Sequence, residues 1–67
     1  MYRNYKVEFS YKLANGKRCY EQDTTFAAGA QEAVDRVREW YSDLVDFRIE
    51  AVYADTGREW SLCEWWD

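Results

Sequence analysis

Tyr5, Val7, Phe9, Tyr11 and Leu13 alternate with Lys6, Glu8, Ser10 and Lys12. This period of two predicts a strand with one buried face. Asn15-Gly16 follows, a pair suited to a two-residue hairpin turn because both residues tolerate positive φ. Such a turn pairs Tyr11 with Tyr20, Phe9 with Gln22, Val7 with Thr24 and Tyr5 with Phe26, and the apolar face continues onto the second strand. A slip of one residue would set Glu21 and Asp23 opposite Phe9 and Val7. In the predicted register the outer face is polar: Lys6, Glu8, Ser10, Lys12, Cys19, Glu21, Asp23 and Thr25.

From Gly29 to Leu44 the period changes. Ala30, Ala33, Val34, Val37, Trp40, Tyr41 and Leu44 recur at spacings of three and four, which predicts an amphipathic helix. Gly29 is the expected N-cap, and Glu32 lies in the first turn, where a carboxylate favours the helix start. Glu32 and Arg36 are spaced for an i,i+4 pair. Ala30 and Ala33 allow close approach to a sheet, and Trp40 and Tyr41 are expected to fill the gap at the far end.

Phe47, Ile49, Ala51 and Tyr53 alternate with Arg48, Glu50 and Val52, a third strand. Asp55-Thr56-Gly57 predicts a turn, and Glu59 to Trp66 a fourth strand. Two registers fit that hairpin. A three-residue loop pairs Val52 with Trp60 and Ile49 with Cys63; a two-residue loop pairs Tyr53 with Trp60 and Ala51 with Leu62. The chain thus reads as one α+β domain spanning residues 1–67. It is a β-β-α-β-β layout with an antiparallel sheet in the order 2-1-3-4 and the helix across one face.

At 67 residues the chain is near the size where one core only just suffices. The rings of 4 Trp, 6 Tyr and 3 Phe supply the apolar area. The absence of His removes the commonest general base and metal ligand, and with it any Ser-His-Asp or Cys-His system within one chain. Cys19 and Cys63 lack a CxxC spacing and are expected as free thiols. The 3 Gly fall at turns or a cap, so no glycine-rich phosphate loop is present. We therefore expect a non-enzyme with no cofactor and no metal. No apolar run approaches a membrane span, and the first residues lack an apolar signal region, so a cytoplasmic location is expected.

A net charge of −4 disfavours nucleic acid and permits docking on a basic protein surface. An RNA platform is further disfavoured because Tyr5, Phe9, Tyr11 and Tyr20 are expected beneath the helix. The last strand carries apolar residues of both parities: Trp60, Leu62 and Trp66 on one, Cys63 and Trp65 on the other. A single helix covers one face, so some of these side chains must meet solvent or a partner. The expected interface is Trp60, Leu62, Trp65 and Trp66, with the carboxylates Glu21 and Asp23. The expected partner is a protein, or a second copy in a homodimer that protects the edge strand.

The segments Tyr5-Lys6-Val7-Glu8-Phe9 and Thr24-Thr25-Phe26-Ala27-Ala28, with Gln31-Glu32-Ala33-Val34 at the helix start and Trp40-Tyr41 beyond, carry a resemblance. Over residues 5–52 the layout resembles small uncharacterised proteins of phages and conjugative elements. The Trp-rich ending is not part of that pattern. The resemblance implies a compact acidic protein that inhibits or modulates a host complex by occupying a basic surface; it implies no site residue.

Overall fold

The structure, a computed structural model, describes residues 1–63. The strands β1 (Arg3–Lys12) and β2 (Arg18–Ala27) form a hairpin, the helix α1 (Ala30–Trp40) follows, and β3 (Val45–Asp55) and β4 (Trp60–Cys63) complete the chain. The sheet is four-stranded and antiparallel in the order β2-β1-β3-β4, with the helix on one face, as the pattern predicts.

Between helix and sheet lie Tyr5, Val7, Phe9, Ala27, Ala33, Val34, Val37, Val52 and Ala54. Ala33, Val34 and Val37 are the buried stripe of α1, spaced as the sequence requires. Gly29 caps the helix in an extended conformation, and the Arg36 guanidinium donates to Glu32 at 2.7 Å one turn back. Tyr41, just past the helix, lies against Phe9 with ring centroids 4.7 Å apart, and Phe47 meets the same ring at 5.2 Å. Those two rings fill the gap that Trp40 was also expected to fill, and Trp40 is left half-exposed.

The first hairpin adopts the slipped register. Phe9 faces Glu21, Val7 faces Asp23 and Tyr5 faces Thr25, with Tyr11 opposite Cys19. The cause lies in the turn. Both two-residue primed turns need positive φ at the first central residue, yet of the pair only Gly16, the second, has it, at 83°. The chain instead closes over Ala14, Asn15 and Gly16. The Gly16 amide donates to Leu13 at 2.9 Å, and the Leu13 amide donates to Lys17 at 2.8 Å. The Asn15 side chain accepts from the Lys17 amide at 2.9 Å and holds that geometry.

In consequence Cys19, Glu21, Asp23 and Thr25 share the helix side of the sheet, contrary to expectation, and Tyr20 and Phe26 lie on the opposite, helix-free face. The polar row is tolerated because α1, at about 16 Å, spans only half of a strand about 33 Å long. Beyond its reach the Tyr11 phenol donates to Glu21, and the Tyr41 phenol donates to Asp23 at 2.6 Å. Arg36 donates to Thr25 Oγ1 at 2.9 Å and to the Phe26 carbonyl.

A second departure lies in β3. Glu8 faces Ala51 while Phe9 faces Ile49, so Glu50 is an extra residue in a bulge. The bulge switches parity. Ile49 points to the core, and beyond it Val52 and Ala54 take over, while Ala51 and Tyr53 turn to the helix-free face. The last hairpin adopts neither expected register: Asp55 pairs with Trp60 and Val52 with Cys63. Gly57, with φ of 91°, takes the first position of a Gly57-Arg58 turn, where only a positive φ fits. The Thr56 amide closes it onto Glu59 at 3.1 Å.

Candidate functional site

Opposite residues in an antiparallel pair project to the same side, so the register defines the helix-free face row by row. Phe26, Asn4, Asp55 and Trp60 form the first row, and Thr24, Lys6, Tyr53 and Leu62 the second. Gln22, Glu8 and Ala51 form the third, and Tyr20, Ser10 and Arg48 the fourth. Large apolar side chains stand exposed there: Tyr20 at 68%, Leu62 at 67%, Phe26 at 58% and Trp60 at 40%.

The first two rows form an aromatic end. Tyr2 stacks on Phe26 with centroids 5.6 Å apart. Lys6 Nζ lies 4.6 Å from the Tyr53 ring centroid and 5.3 Å from that of Trp60. The other end is charged. Arg18 donates to the carboxylate of Asp46 and to its backbone carbonyl at 3.2 Å. Arg48 reaches the same carboxylate at 3.2 Å, and Lys12 lies 4.0 Å away. Beneath them the fully buried Ser10 hydroxyl accepts from Arg18 at 2.8 Å and donates to Glu50 at 2.5 Å. A shallow groove of about 430 Å³ runs between the two ends, lined by Glu8, Tyr20, Gln22 and Glu50 with parts of Phe9 and Glu21.

Among the expected interface residues, Trp60 and Leu62 sit together on this face, on β4. Glu21 and Asp23 lie on the other face and at the other edge, on β2, where the two phenols engage them. The structure does not bring the two groups together. Trp65 and Trp66 lie outside the described residues. Tyr20 and Phe26 are face residues that the sequence pattern assigned to the core, and Tyr53 is one that it placed in the alternating series of Phe47 and Ile49. Their signal lay in the slipped register and in the run Val52-Tyr53-Ala54, where either parity is apolar.

The phenols of Tyr11 and Tyr41 are held above their ordinary ionisation range. Glu21, which accepts from Tyr11, is the main cause there, with Cys19 second, and Asp23, which accepts from Tyr41, is the main cause at the other phenol. These bonds engage Glu21 and Asp23 along the helix side of the sheet. Among the described residues no group of three or more His, Cys, Asp or Glu is placed to hold a metal ion. Cys19 and Cys63 are free thiols on opposite edge strands. No helix among these residues is long and apolar enough to cross a membrane.

The fold and the face together define a two-layer α+β protein with an open aromatic sheet. No protein-family model, no curated protein and no solved structure matches this chain.

Proposed function

We propose that this chain is a small acidic, non-enzymatic binding module that docks a protein through the helix-free face of its sheet. The observation that carries the reading is the exposure of Phe26, Tyr20, Trp60 and Leu62 on the face the helix leaves open. Large exposed apolar patches mark interaction sites, and Trp and Tyr are enriched at the positions that dominate binding energy. The exposed rings also fit the stacking platform of a single-stranded nucleic acid. A protein is favoured because the face carries Glu8, Asp46, Glu50 and Asp55 beside its four cations, and the chain's charge is −4.

The test is photo-cross-linking in the source cells from a reactive residue at position 26 or 20, with position 35 on the outer side of α1 as control. The expected result is a protein adduct from the sheet face and none from the control. Adducts to nucleic acid alone would overturn the reading.

The helix side supports a second reading. Glu32, Asp35, Glu39 and Asp43 are grouped along α1 and its exit, so much of the chain's acidity lies there. Such a surface suits a basic protein surface, the host-inhibitor role that the phage-protein resemblance implies. Binding of that kind falls with added salt and with Glu39→Lys.

A further inference from the structure

We infer that the occupant of the helix-free face is a second copy of this chain, giving an isologous, sheet-to-sheet dimer with both helices outward. The inference rests on the docking role proposed above and names its partner.

Three observations point to self-association. The first is the thin core. Among the described residues, the fully enclosed core has two rings, Phe9 and Tyr5, beside Val and Ala, with Tyr11, Tyr41 and Phe47 packed against it and partly exposed. Meanwhile Tyr2, Tyr20, Phe26, Trp60 and Leu62 remain in solvent. Chains of this size commonly add a disulfide, a metal or a second subunit. Cys19 and Cys63 are free and sit at opposite sheet edges, so they supply no internal bridge. A second copy is the partner present whenever the chain itself is present.

The second is area. Three strands about 33 Å long and the short β4, spaced about 4.8 Å apart, make a face of roughly 550 Å². Two such faces remove about 1,100 Å², just above the roughly 1,000 Å² that a biological interface clears.

The third is charge. The described residues of this face carry Lys6, Lys12, Arg18 and Arg48 against Glu8, Asp46, Glu50 and Asp55, a neutral balance. The helix side carries Glu21, Asp23, Glu32, Asp35, Glu39 and Asp43 against Arg3, Arg36 and Arg38, an acidic balance. Apposing the sheets therefore joins the net-neutral surfaces and keeps the acidic ones apart.

Light scattering across micromolar concentrations tests the inference. The expected mass is twice 8.1 kDa. Phe26→Arg combined with Leu62→Arg alters exposed positions only and should raise the dimer dissociation constant at least roughly tenfold. Trp40→Arg, on the helix side, should leave it unchanged. The thermal midpoint of the unaltered chain should rise with concentration, a readout that holds even if the double variant fails to fold. A species of 8.1 kDa with a concentration-independent midpoint overturns the dimer. So does a dimer that Trp40→Arg splits and Phe26→Arg with Leu62→Arg does not. If the chain is monomeric yet cross-links to another protein from position 26, the dimer fails and the docking reading stands. If it is monomeric and yields no protein adduct, both fail.

Discussion

Asp46 holds a backbone φ of 52°, a conformation that L side chains other than Asn and Asp rarely adopt. Its carboxylate is held there by Arg18, Arg48 and Lys12. Asp46→Ala removes those partners and keeps the strain, whereas Asp46→Gly removes the partners and relieves the strain. Urea unfolding should find Asp46→Ala less stable than Asp46→Gly by roughly 1 kcal/mol. The phenols of Tyr11 and Tyr41 give a pH signature at the same scale. Their folded pKa values are raised, so these hydrogen bonds stabilise fully below the ordinary phenol range and are lost as pH rises through the folded values. Phenolate absorbance of the native protein should therefore lag that of the unfolded chain, and the lag should vanish in Tyr11→Phe with Tyr41→Phe.

Each element responds to a few positions. Phe9 is the largest fully buried side chain among the described residues, and its ring neighbours are Tyr11, Tyr41 and Phe47. Phe9→Ala should cost about 3–5 kcal/mol. For a domain whose whole stability is roughly 3–10 kcal/mol, circular dichroism should show a largely unfolded chain. Tyr20→Ala, on the open face, should change monomer stability by less than about 0.5 kcal/mol. In the second hairpin nothing crowds a Cβ at Gly57, so Gly57→Ala acts through its positive φ alone. It should cost about 1 kcal/mol in chemical unfolding. The helix and the strand count were legible because period and turn residues report them locally, and the sheet order because a crossover through one helix has a preferred hand. The register of each hairpin was not. One more residue in a turn moves every side chain to the other face, and whether Asn15 or only Gly16 takes positive φ is decided by the closed hairpin.

At the scale of the molecule, the sheet is organised around β1, which pairs with β2 on one side and β3 on the other. Amide exchange should be slowest in β1 and fastest in β4, the short edge strand. Uniform protection across the four strands would count against this arrangement. The helix covers half the length of one sheet face and leaves the other to solvent or to a second copy. The exposure of Trp60 and Leu62 was legible because an edge strand that is apolar on both parities must expose one parity. Glu21 and Asp23 were misplaced because their face depends on the register, and Phe26, Tyr20 and Tyr53 were missed for the same reason.

By itself the sequence determined the elements, their order and the single layer of helix. Hydrophobic period and the left-handed preference of glycine act over a few residues, and a local reading recovers them. Only the tertiary structure decided which side of the sheet each residue of β2 and the end of β3 occupies. That choice follows from a three-residue turn and from the bulge at Glu50, two offsets of one residue that make sense only when both strands are in place. The same two offsets carry Tyr20, Phe26 and Tyr53 out of the core and make the open face aromatic.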